Sequence, residues 1–232
     1  MRNGMHDVER FRLSTRWLHW VHAGAWLVLA ITGLFLWVPA FGGASVGGWS
    51  RLAHRVAAVV FMSTPLLYAA FNWWLPLRFM KEAQTWSKED MEWLRAAPDY
   101  YFGGDERKMP PQEHINTGQK LFQLVTIITG AIFIETGILM WFFRDLLPRS
   151  VFQWAVVAHD VAFIAAAAMF LVHVYLSAIH PRMTESLKAM VTGKASVEYV
   201  RSHHGRWYER VAAKGRPGEA STSVHSEGEQ RV

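Results

Sequence analysis

The first long apolar run of the chain opens with Arg16-Trp17-Leu18-His19-Trp20-Val21-His22-Ala23-Gly24-Ala25-Trp26. The run itself, Trp17–Val38, holds 22 residues and no Asp, Glu, Lys or Arg. Because about 20 apolar residues of helix cross a hydrocarbon core about 30 Å thick, this stretch predicts a transmembrane helix. A polar side chain at membrane depth is costly without a partner, so His19 and His22 are candidate functional residues.

Three later runs have the same character and carry at most one acidic residue each: Val56–Leu77, Leu121–Phe143 and Ser150–Pro181. The sequence therefore predicts an all-α, multi-pass membrane protein. Its four spans are expected at about residues 17–38, 52–77, 121–143 and 150–180. Short outer turns join spans one and two and spans three and four, which makes the joined spans antiparallel neighbours and predicts an up-down four-helix bundle.

The basic residues predict the orientation of this bundle. Twenty of the 24 Lys and Arg residues lie before Trp17, between Arg78 and Lys120, or after His180. Cytoplasmic segments carry the excess of basic residues, so both termini and the long middle loop are expected in the cytoplasm. The formal net charge of +5 follows from this topology and gives no reason to expect a nucleic-acid partner.

Composition also limits the domains and the cofactors. We expect residues 1–210 to form the membrane domain with amphipathic cytoplasmic segments, and residues 211–232, rich in Ser, Glu and Gly, to form a disordered tail. The chain contains no cysteine, which excludes disulfides, cysteine-ligated iron–sulfur clusters and a thioether-attached haem. A metal cofactor must therefore rest on nitrogen, oxygen or methionine sulfur.

The histidines of the last span have a spacing that indicates paired metal ligands. His159 and His173 are 14 residues apart, close to four helical turns, so they share nearly one face and lie about 21 Å apart along the axis. Two further histidines match them in depth. His54 lies at the outer end of span two, level with His159, and His19 lies at the cytoplasmic end of span one, level with His173.

Two such pairs of neutral imidazoles predict two bis-histidine b-type haems stacked across the membrane. Two axial protein ligands close the iron to exogenous ligands, which suits electron transfer. Arg16, Arg51 and Arg55 lie near the membrane surfaces beside these histidines, where they either contact the haem propionates or act as ordinary interfacial anchors. His22 is one turn deeper than His19 and competes with it as a ligand.

Several motifs resemble those of a known family and occur in its order: Arg16-Trp17-Leu18-His19-Trp20, Arg51-Leu52-Ala53-His54, Asn116-Thr117-Gly118-Gln119-Lys120, Ala158-His159, Leu171-Val172-His173-Val174-Tyr175 and His203-His204-Gly205-Arg206-Trp207-Tyr208. Over roughly residues 12–210 the chain resembles the cytochrome b556 (gamma) subunit of membrane-bound formate dehydrogenase. The histidine motifs are shared more loosely with the di-haem cytochrome b subunits of nickel–iron hydrogenases.

The resemblance implies a role in anaerobic respiration at a bacterial inner membrane. A molybdopterin catalytic (alpha) subunit would oxidise formate on the outer side, and an iron–sulfur (beta) subunit would pass the electrons on. This chain would anchor the complex in the lipid and carry the electrons inward to menaquinone or ubiquinone on the cytoplasmic side. The active site for formate would then lie on another chain.

The resemblance also implies which residues form the sites. It assigns His54 and His159 to the outer haem and His19 and His173 to the inner haem, which are the pairs that depth matching gives. It favours His19 over His22 as the inner ligand.

By the same resemblance, the quinone pocket would adjoin the inner haem at His173 and be lined by Asn116, Gly118 and Gln119. A second interpretation of Asn116-Thr117-Gly118-Gln119-Lys120 is a polar helix start capped by Asn116 or Thr117. Two alternatives also remain for the whole chain. One is the cytochrome b subunit of a hydrogenase or related periplasmic oxidoreductase, and the other is a haem-free membrane anchor or assembly protein.

Overall fold

The computed structural model describes residues 7–38, 40–41, 48–105 and 108–213. Its elements, in chain order, are β1 Val8–Glu9, α1 Leu13–Trp37, α2 Trp49–Phe71, α3 Trp74–Gln84, α4 Lys88–Tyr101, α5 Thr117–Phe142, α6 Arg149–Val174, a π-helical segment Tyr175–Ile179, a 3-10 turn Pro181–Met183, α7 Thr184–Thr192, β2 Lys194–Ala195, α8 Val197–His203 and α9 Gly205–Ala213. The chain divides into two units. The bundle unit comprises Ser14–Met80 and Leu124–Val172, and the tail unit comprises Met1–Leu13, Lys81–Gln123 and His173–Val232.

Four helices are long and apolar enough to cross a membrane: α1, α2, α5 and α6 with its π-helical extension. Between 6% and 11% of the residues in their most apolar windows are buried inside the protein. Water would make so much exposed apolar surface costly, whereas lipid does not, and all backbone groups of a helix are satisfied internally. The chain is a multi-pass membrane protein, and the predicted all-α fold with four spans is confirmed.

The helices begin a few residues before the apolar runs, because Leu13–Trp37 and Thr117–Phe142 take their polar first turns into the helix. Span two differs more. Helix α2 ends at Phe71, where the Asn72 amide donates to the Tyr68 carbonyl (2.9 Å). The sequence predicts that span two ends near residue 77, a position that lies in α3. The prediction extends too far because apolar residues continue beyond the helix break at Asn72, so the hydropathy pattern shows no end there.

Each of the four membrane helices contacts at least two of the others within the bundle unit. Rings of α1 stack on rings of the other helices: Trp26 lies on Phe170 of α6 with centroids 4.1 Å apart, and His22 lies on Phe61 of α2 with centroids 3.7 Å apart. The Arg55 guanidinium of α2 lies over the Trp141 ring of α5 at 5.1 Å. Aromatic side chains thus make several of the contacts between the helices.

The tail unit joins segments that are far apart in sequence. Val8 and Glu9 pair antiparallel with Ala195 and Lys194, and the Arg10 amide donates to the Gly193 carbonyl (2.8 Å). Its core is a cluster of buried side chains: Met183, Ala189, Ala195, Tyr199 and Val200. Most of each of the three basic segments that the sequence predicts on one side of the membrane therefore belongs to one folded unit.

The predicted disordered tail lies almost wholly outside the described residues. Helix α9 runs to Ala213, past the expected boundary at residue 210, and residues 214–232 are not described.

Candidate functional site

Two of the four candidate haem ligands meet in the bundle unit. His54 lies in the second turn of α2 and His159 lies in the first half of α6, and their ring centroids are 6.4 Å apart. An imidazole nitrogen binds a metal ion at about 2.0 Å and lies about 1 Å from its ring centroid, so two rings on opposite sides of one ion have centroids roughly 6 Å apart. The observed separation fits two axial ligands of one metal.

Each of these two rings is held by a threonine. The Thr32 hydroxyl of α1 lies 2.9 Å from His54 Nδ1, and the Thr136 hydroxyl of α5 lies 2.8 Å from His159 Nδ1. Thr32 and Thr136 are both buried, at 3% and 7% exposure. The edge of the Phe133 ring also contacts the His159 ring, with centroids 4.9 Å apart. The remaining ring nitrogen, Nε2, is the one available for a metal on each histidine.

A conventional metal site is absent from the part of the chain that the structure describes. No group of three or more His, Cys, Asp or Glu residues there is placed to hold a metal ion. A haem needs only two protein ligands, because the macrocycle supplies the other four nitrogens. His54 and His159 supply the two protein ligands that a bis-histidine haem needs.

The two candidate inner ligands belong to different units, and each is described within its own. His19 is half-buried in the bundle unit and contacts the edge of the neighbouring Trp20 ring, with centroids 5.1 Å apart. His173 is half-buried in the tail unit and stacks on Phe122 of α5, with centroids 4.2 Å apart and planes at 15°. The pairing of His19 with His173 stays a prediction.

The helix beyond His173 changes its winding. The backbone of Tyr175–Ile179 is π-helical, and the Ser177 hydroxyl donates to the His173 carbonyl (2.6 Å). π-helical turns are rare and occur frequently at functional sites. Here the segment begins two residues after His173, a candidate haem ligand.

His22, the competing ligand, has a packing role in the bundle unit. Its ring stacks on Phe61 with planes at 27°. Its Nδ1 is buried and has no hydrogen-bond partner among the described residues.

Of the three arginines considered for the propionates, Arg51 and Arg55 are exposed and Arg16 is half-buried. The stacking of Arg55 on Trp141 is the arrangement of an interfacial anchor. The propionate role stays a prediction for all three.

Matches to known proteins fit this geometry. Residues 10–193 match the family described as prokaryotic cytochrome b561. The chain belongs to this cytochrome family. Membership implies b-type haem, which is the cofactor that the His54–His159 pair fits.

Three similar proteins are each named as a cytochrome b556 subunit of a formate dehydrogenase. The cytochrome b556(Fdn) subunit of the nitrate-inducible formate dehydrogenase of Escherichia coli K12 is 23% identical over 214 residues, covering 88% of this chain and 91% of that protein. The cytochrome b556(fdo) subunit of E. coli K12 formate dehydrogenase is 24% identical over 217 residues, covering 88% and 93%. The cytochrome b556 subunit of Haemophilus influenzae formate dehydrogenase is 23% identical over 213 residues, covering 89% and 85%. The predicted resemblance is confirmed.

The candidate quinone residues of the cytochrome form a helix cap at the start of α5. The Asn116 Oδ1 accepts a hydrogen bond from the backbone N–H of Gln119, and the Gln119 Oε1 accepts one from the backbone N–H of Asn116, each at 2.9 Å. This is the capped helix start that the sequence left open. Gly118 lies under Trp93, whose ring would be 2.9 Å from an added Cβ, so only glycine fits there without a shift.

Lys120, which closes the same motif, forms a buried ion pair that the sequence did not reveal. Its Nζ donates to both oxygens of Asp90 (2.9 and 2.8 Å) and to the Thr85 carbonyl (3.0 Å). Asp90 is 2% exposed and also accepts from the Thr117 hydroxyl (2.6 Å) and the Ser87 amide (2.8 Å). Burial by itself raises the pKa of Asp90, but the hydrogen bonds from Lys120, Thr117 and Ser87 outweigh it, and the pKa is lowered.

A small cavity of about 20 Å³ adjoins Asn116 in the tail unit. Tyr100, which lines it, is 3% exposed, and its hydroxyl is 2.7 Å from His203 Nε2. A volume of this size holds about one water molecule, whereas ligand pockets measure about 300 Å³ or more. The cavity suits a polar connection to His203 rather than an aromatic head group.

Sequence reasoning missed Thr32, Thr136 and Asp90. A threonine inside an apolar run gives little indication of a functional role, because its hydroxyl can donate a hydrogen bond to a backbone carbonyl of its own helix. Asp90 lies in the charged segment between spans two and three, where nothing in the local sequence distinguishes a buried carboxylate from a solvated one.

Proposed function

We propose that this chain is the cytochrome b subunit of a formate dehydrogenase, which anchors the complex in the membrane and carries electrons across it to a quinone. The observation that carries the proposal is the His54–His159 pair, with ring centroids 6.4 Å apart in a cytochrome b561 family bundle. The three relatives above are named as cytochrome b556 subunits of formate dehydrogenase and match along most of both chains.

Two b-type haems are proposed, the outer held by His54 and His159 and the inner by His19 and His173. When bound, a haem with two axial histidines supplies one-electron redox chemistry without an open coordination position. The protein contributes the imidazole nitrogens, their orientation and an environment that excludes water. Support for the inner pair comes from matched depth in the sequence and from the family resemblance.

The proposed quinone site comprises Asn116, Gly118, Gln119 and His173. The cap uses the oxygen of each amide side chain, which leaves Asn116 Nδ2 and Gln119 Nε2 as donors for a quinone carbonyl. Gly118 keeps this turn of α5 tight against Trp93. The rigid cap therefore fixes two amide donors in position, and menaquinone or ubiquinone is the proposed acceptor.

The proposed partners are an iron–sulfur (beta) subunit and a molybdopterin catalytic (alpha) subunit on the outer side of a bacterial inner membrane. The termini and the middle loop are proposed to be cytoplasmic. Support comes from the tail unit, which contains most of each of the three basic segments, since cytoplasmic segments carry the excess of Lys and Arg.

The test is haem content of the purified protein, measured as haem b per chain with the pyridine haemochrome spectrum. We expect two haems in the wild type, one in His54→Ala and one in His173→Ala. His22→Ala is the matched control, because His22 lies one turn from a ligand, and it should keep both haems. If the wild type contains no haem after full haem supply, the chain is a haem-free membrane anchor. If His54→Ala and His173→Ala both keep two haems, the proposed haem ligands are wrong.

Co-purification separates the two candidate complexes. A molybdopterin subunit recovered with the tagged chain supports formate dehydrogenase. Recovery of a nickel–iron subunit instead would assign the chain to a hydrogenase.

A further inference from the structure

We propose that Thr32 and Thr136 fix which nitrogen of His54 and His159 carries the proton and so tune the outer haem. The inference rests on the proposed function, since it requires that these two histidines ligate iron. Both threonines are positioning residues. Each would act through the histidine that its hydroxyl contacts.

The direction of each hydrogen bond follows from the single hydroxyl proton. The Thr32 hydroxyl lies 2.6 Å from the Val28 carbonyl, and the Thr136 hydroxyl lies 2.5 Å from the Ile132 carbonyl. A carbonyl carries no proton, so two oxygens this close require the hydroxyl to donate to the carbonyl. Toward the histidine the hydroxyl oxygen is then only an acceptor. His54 and His159 must therefore carry their protons on Nδ1, which leaves the Nε2 lone pairs for iron.

The same arrangement arises twice from different helices. Thr32 belongs to α1 and acts on a histidine of α2, while Thr136 belongs to α5 and acts on a histidine of α6. A buried threonine needs only its own helix carbonyl to satisfy its hydroxyl, so the bond to the histidine is an additional feature. Thr129 shows this: it is buried on α5 and donates to the Val125 carbonyl (2.8 Å).

The chemical consequence is an electron-richer ligand. A hydrogen bond that accepts the Nδ1 proton increases the basicity of the other nitrogen, as with the outer partners of metal-bound histidines in general. A more basic ligand favours ferric over ferrous iron, so loss of the bond raises the reduction potential. A tenfold change in the ferric-to-ferrous preference equals about 59 mV for one electron, and we take a change of this size as the expected effect.

The experiment uses full-length cytochrome in the variants Thr32→Val, Thr136→Val, Thr32→Ser and Thr136→Ser, with Thr129→Val as the matched control. Both haem potentials are measured by redox titration of the absorbance, and the low-spin electron paramagnetic resonance signal reports ligand character. We expect each Val variant to raise one haem potential by a tenfold preference change, about 59 mV, and to shift that haem's signal. The Ser variants should restore both, and Thr129→Val should change neither.

The outcomes separate this inference from the proposed function. Unchanged potentials in both Val variants, with both haems retained, would overturn the role of the threonines and leave the haem assignment intact. Loss of the outer haem in a Val variant that its Ser variant restores supports the hydroxyl role, while equal loss in both overturns it. If His54→Ala and His159→Ala retain two haems, the proposed ligands themselves are wrong.

Discussion

Lys120 is the residue whose replacement tests most directly how the tail unit is held together. Replacing it with Met keeps the length of the side chain and removes donors to both oxygens of Asp90 and to the Thr85 carbonyl. Breaking a buried ion pair by removing one partner costs about 3–5 kcal/mol, because the other charge stays buried. Asp90 would keep its bonds from Thr117 and Ser87, so we expect the lower end, about 3 kcal/mol.

Hydrogen–deuterium exchange of α4 and of the first turn of α5 measures this cost locally. A loss of about 3 kcal/mol in local stability corresponds to roughly hundredfold faster exchange of the amides that open with the pair. The matched control is Lys88→Met, which removes an exposed pair to Glu92 on the same helix (3.8 Å). Exposed pairs contribute about 1 kcal/mol or less, so exchange there should change little.

A double variant separates the charge from the packing. Asp90→Asn combined with Lys120→Met leaves no buried charge, so we expect it to recover a large part of the stability lost in Lys120→Met. Exchange rates in Lys120→Met that match the Lys88→Met control, or no recovery in the double variant, would refute the view that a buried ion pair joins α4 to α5.

Three further predictions concern the described residues. Hydrogen bonds lower the pKa of Asp90 below its ordinary 3.8, so the ionised carboxylate stabilises the folded state above about pH 4. This contribution is lost as the pH falls through the lowered pKa. The Asp90→Asn variant should therefore be less stable at neutral pH, and its stability should vary less with pH during acid unfolding. Tyr100→Phe removes a buried hydrogen bond to His203 and should cost about 1 kcal/mol in thermal unfolding. Arg55→Gln should keep both haems if Arg55 anchors on Trp141, as its stacking indicates, and haem loss would favour the propionate role.

Much of the architecture could be predicted because it depends on quantities that run along the chain. The length of an apolar run decides whether a helix crosses the membrane, and the helical rise places His159 and His173 at different depths. The capped start of α5 could also be predicted as an alternative, since Asn116 and Gln119 are three residues apart and their hydrogen bonds are local. The end of span two could not be predicted, because the helix ends at Phe71 while the apolar run continues.

The contacts that tune and stiffen the cytochrome depend on tertiary structure. Thr32 reaches His54 across 22 residues, Thr136 reaches His159 across 23, and Lys120 reaches Asp90 across 30. Such contacts depend on how each helix is rotated about its axis and which neighbour it faces, and hydropathy carries no information on either. The sequence by itself determined four spans, and it predicted two levels of paired histidines. Only the packed helices decided which hydroxyl holds each imidazole, because a hydrogen bond requires its two atoms to lie within about 3 Å.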